Sequence, residues 1–298
     1  MMRVVTIGIP TREGEHYKDL LISLHKSIRV FSVEEYKFEI IFCINGPHSQ
    51  ETERKIKSIV EEVPKLDIKV VTQEPRCLGK PLAMKRITEE ACGDFIAFID
   101  DDVEIDHDTI NDSIRIFETY PAIKLVGATP KVVCPSPISF WRKMLFDVLN
   151  IQHTHDLFVF PDPFIVGRFM MLRKKDMPII PPTVIKDDMY LQILFYPDVF
   201  KIRSHVRYKG VISLRDYYTR LFRLIGGDHQ ELSDISRDQL NRYFDDPYMK
   251  RKLDFNKIIH LRPYYLFCFV CYRLIKISAF LLQPLVFNRN SVGWARTN

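Results

Sequence analysis

The first hundred residues alternate two hydrophobic periods, and that alternation restricts the fold more than any other feature of the chain. "RVVTIGIP", "KFEIIFCIN", "DIKVVTQ" and "DFIAFID" read as strands, while "EHYKDLLISLHKSIRVF", "SQETERKIKSIVEEV" and "GKPLAMKRITEEAC" space their apolar residues as helices do. A βαβαβαβ order predicts an α/β fold: a mostly parallel sheet with helices on both faces. In such sheets a ligand sits beyond the carboxyl ends of the strands. Those ends carry Pro10, Thr11 and Glu13, then Asn45, Lys80 and the triplet Asp100, Asp101 and Asp102, so polar groups converge where a nucleotide is expected.

Three consecutive aspartates at the end of an apolar strand have three common explanations: a hard metal ion, acid/base chemistry, or a phosphoaspartate. Oxygen ligands suit Mg²⁺ or Mn²⁺, and a metal held by one or two carboxylates plus substrate phosphates favours a nucleotide diphosphate. The phosphoaspartate reading wants its nucleophile near the first strand, where the chain has "IPTRE". A second acidic pair, Asp187 and Asp188, follows 85 residues after Asp102. Two separate clusters can divide the work of a transfer from a nucleotide diphosphate. One neutralises a leaving diphosphate with a cation, and the other takes the proton of an acceptor hydroxyl. Arg220 and Arg223 stand three apart on a helical segment and can both face a pyrophosphate.

Farther along, "KLVGATPKVV" reads as a strand, "SPISFWRKMLFDVLNIQH" as an amphipathic helix and "FIVGRFMMLRKKDM" as a strand with a turn. Between Tyr264 and Phe287 the chain is strongly apolar, interrupted by Arg273 and Lys276 on one helical side. Central charges are costly in a spanning helix, so the expectation is a helix in the membrane interface, with a buried core helix as the alternative. The net charge of +5 divides unevenly: residues 201–298 carry 18 Lys/Arg against 8 Asp/Glu, a balance of +10, and leave −5 for residues 1–200. A separated basic region suggests an anionic partner, although a solvated basic face gives the same count.

The start shows no apolar signal core, so the expectation is a protein in the cytoplasm or on a cytoplasmic membrane face. The six cysteines show no small-domain disulfide pattern, and the single CxxC of Cys268 and Cys271 lacks the second pair a structural zinc wants. "HTHD" at 153–156 reads as a polar turn, and His229 in "GGDHQ" is a candidate to approach a metal or diphosphate from a lid.

The array "TIGIPTRE", "FEIIFCINGPHSQET", "GKPLAMKRI", "GDFIAFIDDD", "VGRFMMLRK", "KDDMYL" and "RLFRL" resembles, in order and spacing, the family 2 glycosyltransferases of GT-A fold, over residues 3–225. The resemblance implies that Asp100 and Asp102 frame a DxD element, with Asp102 the direct metal ligand. Asp188 matches the second acid of the ED element, the general base, and Asp187 replaces its Glu. Arg220 and Arg223 match a (Q/R)xxRW element, with Leu224 where Trp is usual. Asn45 stands near the place where relatives carry an acid that pairs with uracil; Asn can donate and accept, so it can still meet that base. The implied protein is a metal-dependent, inverting glycosyltransferase with a UDP-sugar favoured as donor. Its catalytic domain spans residues 1–225, and a basic, amphipathic C-terminal region spans 226–298. The expected partners are the nucleotide-sugar, a lipid or lipid-linked glycan acceptor and a membrane surface, with no nucleic acid. A sugar-nucleotide pyrophosphorylase would want a glycine-rich loop after the first strand, and a noncatalytic nucleotide-sugar or lipid-binding module would bind without turnover.

Overall fold

The computed structural model describes residues 2–12, 17–32, 34–62, 66–73, 79–159, 164–228, 235–246 and 252–286. The expected alternation forms as β1 (Arg3–Thr11), α1 (Tyr17–Ile28), β2 (Tyr36–Ile44), α2 (Ser49–Glu62), β3 (Ile68–Thr72), α3 (Lys80–Glu90) and β4 (Phe95–Ile99). Then come β5 (Val103–Ile105), α4 (Thr109–Thr119), β6 (Leu125–Val133), α5 (Phe140–Thr154), β7 (Phe158–Val159) and β8 (Phe169–Arg173). The chain continues through α6 (Asp187–Phe195), β9 (Val199–Lys209), α7 (Leu214–Asp228), α8 (Arg237–Asp245), β10 (Lys252–Leu253), α9 (Phe255–Ile259) and α10 (Pro263–Val286).

Eight strands form one sheet in the order β3-β2-β1-β4-β8-β6-β9-β5. From β3 to β4 all pairs are parallel, as the alternation predicts. Strand β8 enters antiparallel to both β4 and β6, and β5 runs antiparallel to β9, so the sheet is mixed. The chain leaves β1 toward β2 and β3 and returns to β1's other side as β4. That reversal opens a crevice at the carboxyl ends of β1 and β4.

Strand β4 shows why its sequence is uninterrupted. Phe95, Ala97 and Ile99 pack with Leu20, Leu24 and Ile114 on one face, and Ile96 and Phe98 pack with Met84, Ile87 and Leu191 on the other. A strand buried on both sides has no position for a polar residue until it emerges, and it emerges at the aspartates.

A third apolar cluster joins Leu149 and Ile151 of α5, Tyr217 and Leu221 of α7, and Cys268, Tyr272 and Ala279 of α10. Polar contacts reinforce it: Tyr264 donates to Asp147 at 3.1 Å, Tyr272 to Gln152 at 2.5 Å, and Tyr218 and Ser278 share a hydrogen bond of 2.7 Å. The boundary expected at 225/226 falls inside α7. On its other face α10 exposes Phe267, Val270, Leu274, Ile277, Phe280 and Leu281, each at least 50% accessible. Pro263–Leu281 is long and apolar enough to cross a membrane by length and composition alone.

Candidate active site

The three aspartates after β4 turn three ways. Asp100 Oδ1 accepts from Lys80 Nζ at 2.8 Å. Asp101 Oδ2 accepts from the hydroxyl of Thr11 at the end of β1, which also shares a 2.7 Å hydrogen bond with Tyr17. Asp102, half exposed, faces the guanidinium of Arg168 at 3.1 and 3.3 Å. Burial pushes the Asp101 carboxyl up to about 7, against the Thr11 hydrogen bond and with the neighbouring charges of Asp102 and Asp100. The middle acid is thus an inward anchor, and its neighbours face the crevice.

Lys80 ties the two acidic clusters together. It begins α3 directly after Gly79, whose φ of 97° lies where glycine is favoured. Its Nζ also donates to the carbonyl of Gly167 at 2.9 Å and lies 3.2 Å from Asp187 Oδ2. Burial works to lower the Lys80 pKa, but the fields of Asp100 and Asp187 outweigh it and hold the ammonium above its usual range. Asp187 is itself buried, and desolvation raises its pKa although Lys80 pulls the other way.

Asp188 is clamped by backbone. Its Oδ2 accepts from the amide of Gly167 at 2.9 Å and its Oδ1 from the amide of Met189, also at 2.9 Å. The position in the first turn of α6 adds the favourable end of the helix dipole. One turn later, buried Gln192 exchanges hydrogen bonds with the Ile165 backbone at 2.8 and 2.7 Å, fixing the segment that carries Gly167 and Arg168 against α6.

Asn45 is fully buried after β2. Its Nδ2 donates to the Gly79 carbonyl at 2.6 Å, and among the described residues its Oδ1 has no hydrogen-bond partner. Pro10 lies within β1, in register with Cys43. Arg220 of α7 reaches the cluster through an aromatic ring: the guanidinium groups of Arg168 and Arg220 lie 3.6 and 5.9 Å from the centroid of Tyr208. Glu13 and His229 lie outside the described residues, and Arg223 belongs to the part of α7 whose side chains are not described. Residues 153–156 form the end of α5 and a turn, in which Asp156 has a φ of 47°.

Sequence reasoning gave no role to Gly167, Arg168, Gln192 or Tyr208. The available signals were the basic residue directly after a glycine before β8 and the four-residue spacing of Gln192 from Asp188. Neither signal says what lies across the sheet.

Among the described residues no group of three or more His, Cys, Asp or Glu side chains is gathered closely enough to hold a metal by itself. The donor set nonetheless fits a hard cation completed by substrate. Asp102 is half exposed, Asp100 is partly exposed, and both present carboxylate oxygens, which suits Mg²⁺ or Mn²⁺ bound through one or two carboxylates plus phosphates.

The family model for glycosyl transferase family 2 matches residues 6–177. A mannosyltransferase from Pyrobaculum calidifontis, in complex with GDP-Man and Mn²⁺, is similar with a TM-score of 0.56 and 15% identity, covering 97% of this chain and 77% of its own. TarS 1–349 from S. aureus has a TM-score of 0.49 and 17% identity, over 98% of this chain and 88% of its own. A glucosyl-3-phosphoglycerate synthase from Mycobacterium tuberculosis, in complex with Mn²⁺, UDP-glucose and phosphoglyceric acid, has a TM-score of 0.47 and 14% identity, over 78% and 82%. No curated protein matches the chain.

Proposed function

Because the chain belongs to glycosyl transferase family 2, with the GT-A fold, and is a glycosyltransferase, we propose that it moves a sugar from a nucleotide-diphosphate donor to a hydroxyl of a lipid or lipid-linked glycan, with inversion at the anomeric carbon. The observation that carries this reading is the pairing of two acidic clusters on opposite sides of one cation, with Lys80 between Asp100 and Asp187. A pyrophosphorylase does not fit the family.

Asp102 and Asp100 would hold Mg²⁺ or Mn²⁺, which when bound supplies positive charge to the leaving diphosphate. Arg168 and Arg220, both placed at Tyr208, add fixed cationic charge on the same side. Asp188 takes the proton of the attacking hydroxyl. Its carboxylate is aimed by two backbone amides rather than by a mobile side chain, so little reorganisation is needed. Asp187 and Lys80 position that acid without touching the reacting atoms. Asn45 is buried with Nδ2 committed to Gly79, and its Oδ1, without a partner among the described residues, is an acceptor that the N–H of a base such as uracil or guanine would complete if the site opened to it. UDP-sugar remains the favoured donor.

The apolar stripe of α10 supports attachment to a membrane, which we place at the cytoplasmic face. Its opposite side is packed on α5 and α7, so the helix would lie along the surface rather than cross it. Residues 226–298 then serve attachment and residues 1–225 catalysis. Phe140 and Trp141, both more than 70% exposed, stand two turns before Asp147, which Tyr264 of α10 contacts.

Calorimetric titration with UDP, GDP and CDP, each with Mn²⁺ and with EDTA, tests the donor site. Metal-dependent binding of one nucleotide is expected, with Asp188→Asn retaining it while abolishing transfer and Asp102→Asn weakening it. Unchanged transfer in Asp188→Asn would remove Asp188 as the base.

A further inference from the structure

Strand β9 carries a basic residue at every second position: Lys201, Arg203, His205, Arg207 and Lys209. The alternate residues Ile202, Val206 and Tyr208 are buried in the core, so the basic set occupies the other face of the strand. Lys131 of the neighbouring β6, exposed and paired in register with Arg207, widens the row. Asp106 pairs with His205 and Arg207, Asp19 lies 3.8 Å from Lys209, and Glu104 is the β5 register partner of Arg207. Lys131 and Arg203 make no ion pair among the described residues. Over Val206–Tyr208 the strand is paired on both sides, by β6 and by β5, so the charges there are not needed to block an exposed edge.

The row has a direction. Its Arg207–Lys209 end opens into a cleft of about 90 Å³ whose lining includes Asp19, Asp102, Glu104, Arg207, Tyr208 and Lys209, so it starts beside the aspartate assigned to the metal of the donor diphosphate. From there it runs eight residues along the strand, at most about 26 Å at ~3.3 Å per residue, and less where a register shift against Gly127–Thr129 of β6 breaks the regular pairing between Lys201 and His205.

We propose that this row binds the acceptor, and that the glycan of that acceptor is a linear polyanion bearing phosphate or carboxylate groups along its length, with one end in the cleft beside Asp102. The inference rests on the glycosyltransferase reading for the word acceptor; the binding itself does not depend on it. A linear row that begins at the site matches an extended chain, whereas a membrane would be met by the apolar stripe of α10.

The test uses the full chain and end-labelled inorganic polyphosphate, followed by fluorescence anisotropy at two salt concentrations. Wild type is expected to bind in a salt-sensitive manner. Lys131→Glu combined with Arg203→Glu should weaken binding at least tenfold, the double Gln variant by a smaller factor, and UDP binding measured by calorimetry should be unchanged in both. The Gln pair guards against misfolding caused by charge reversal. Absence of polyphosphate binding by wild type, or equal binding by the reversed variant, overturns the proposal. So does a variant that loses affinity for phosphatidylglycerol vesicles while keeping polyphosphate, since the row would then serve a membrane. If wild type binds polyphosphate but no nucleotide with metal, the donor reading fails and the polyanion site stands.

Discussion

The amide of Gly167 donates to Asp188 Oδ2 at 2.9 Å, and a Cβ built on Gly167 would lie 2.9 Å from the Cβ of Asp188. A glycine therefore lets the backbone approach the acid closely enough to aim it. Gly167→Ala is expected to push Asp188 out of place and lower kcat at least tenfold. Donor affinity should stay within about twofold, because Asp102 and Asp100 are untouched. Steady-state kinetics with calorimetry checks this, and a kcat equal to that of wild type would remove the positioning role.

Lys80→Met should leave Asp100 and Asp187 facing each other without their shared cation. Removing one partner of a buried pair costs about 3–5 kcal/mol, and partial exposure of Asp100 reduces this toward the lower end. The loss has a pH sign. Lys80 opposes the rise of the Asp187 pKa, so its removal drives that pKa higher still. A carboxyl whose folded pKa is raised contributes stability at low pH and loses it as pH climbs through that pKa. The variant should lie nearest wild type in acid and fall away toward neutral pH, which thermal unfolding across that range will read.

Asp101 offers a cleaner titration. Its folded pKa of about 7 lies above the ordinary carboxyl value, so its contribution is full below about pH 4 and is lost as pH rises through 7. Asp101→Asn keeps an oxygen to accept from Thr11 and cannot ionise. Relative to wild type it should gain at least ~1 kcal/mol on going from pH 5 to pH 8. Parallel shifts of both proteins with pH would contradict the assignment.

The two sides of α10 should respond differently to substitution. Tyr272→Ala removes a buried ring and its hydroxyl contact with Gln152, at a cost of about 3–5 kcal/mol. Leu274→Glu on the exposed stripe should leave the melting temperature within a few degrees and reduce vesicle co-sedimentation several-fold. Equal sedimentation of Leu274→Glu and wild type would argue against membrane contact through this face.

The sequence by itself determined the crossing pattern through β4 and the placement of acids at the end of β4 and the start of α6. Both are local: hydrophobic period sets the element, and a strand buried on both faces forces its polar residues to the exit. It also marked the apolar run from Tyr264 that the structure carries in α10. Tertiary structure alone decided that β8 inserts antiparallel between β4 and β6, which carries Gly167 to Asp188 and Arg168 to Asp102. Arg168 and Asp102 are 66 residues apart, and no short-range period records a pairing at that separation. The same holds for Arg220, whose approach to Tyr208 depends on how α7 crosses the end of β9. Periodicity assigns each residue to a face; strand order, set by the packing of all the faces together, assigns it a partner.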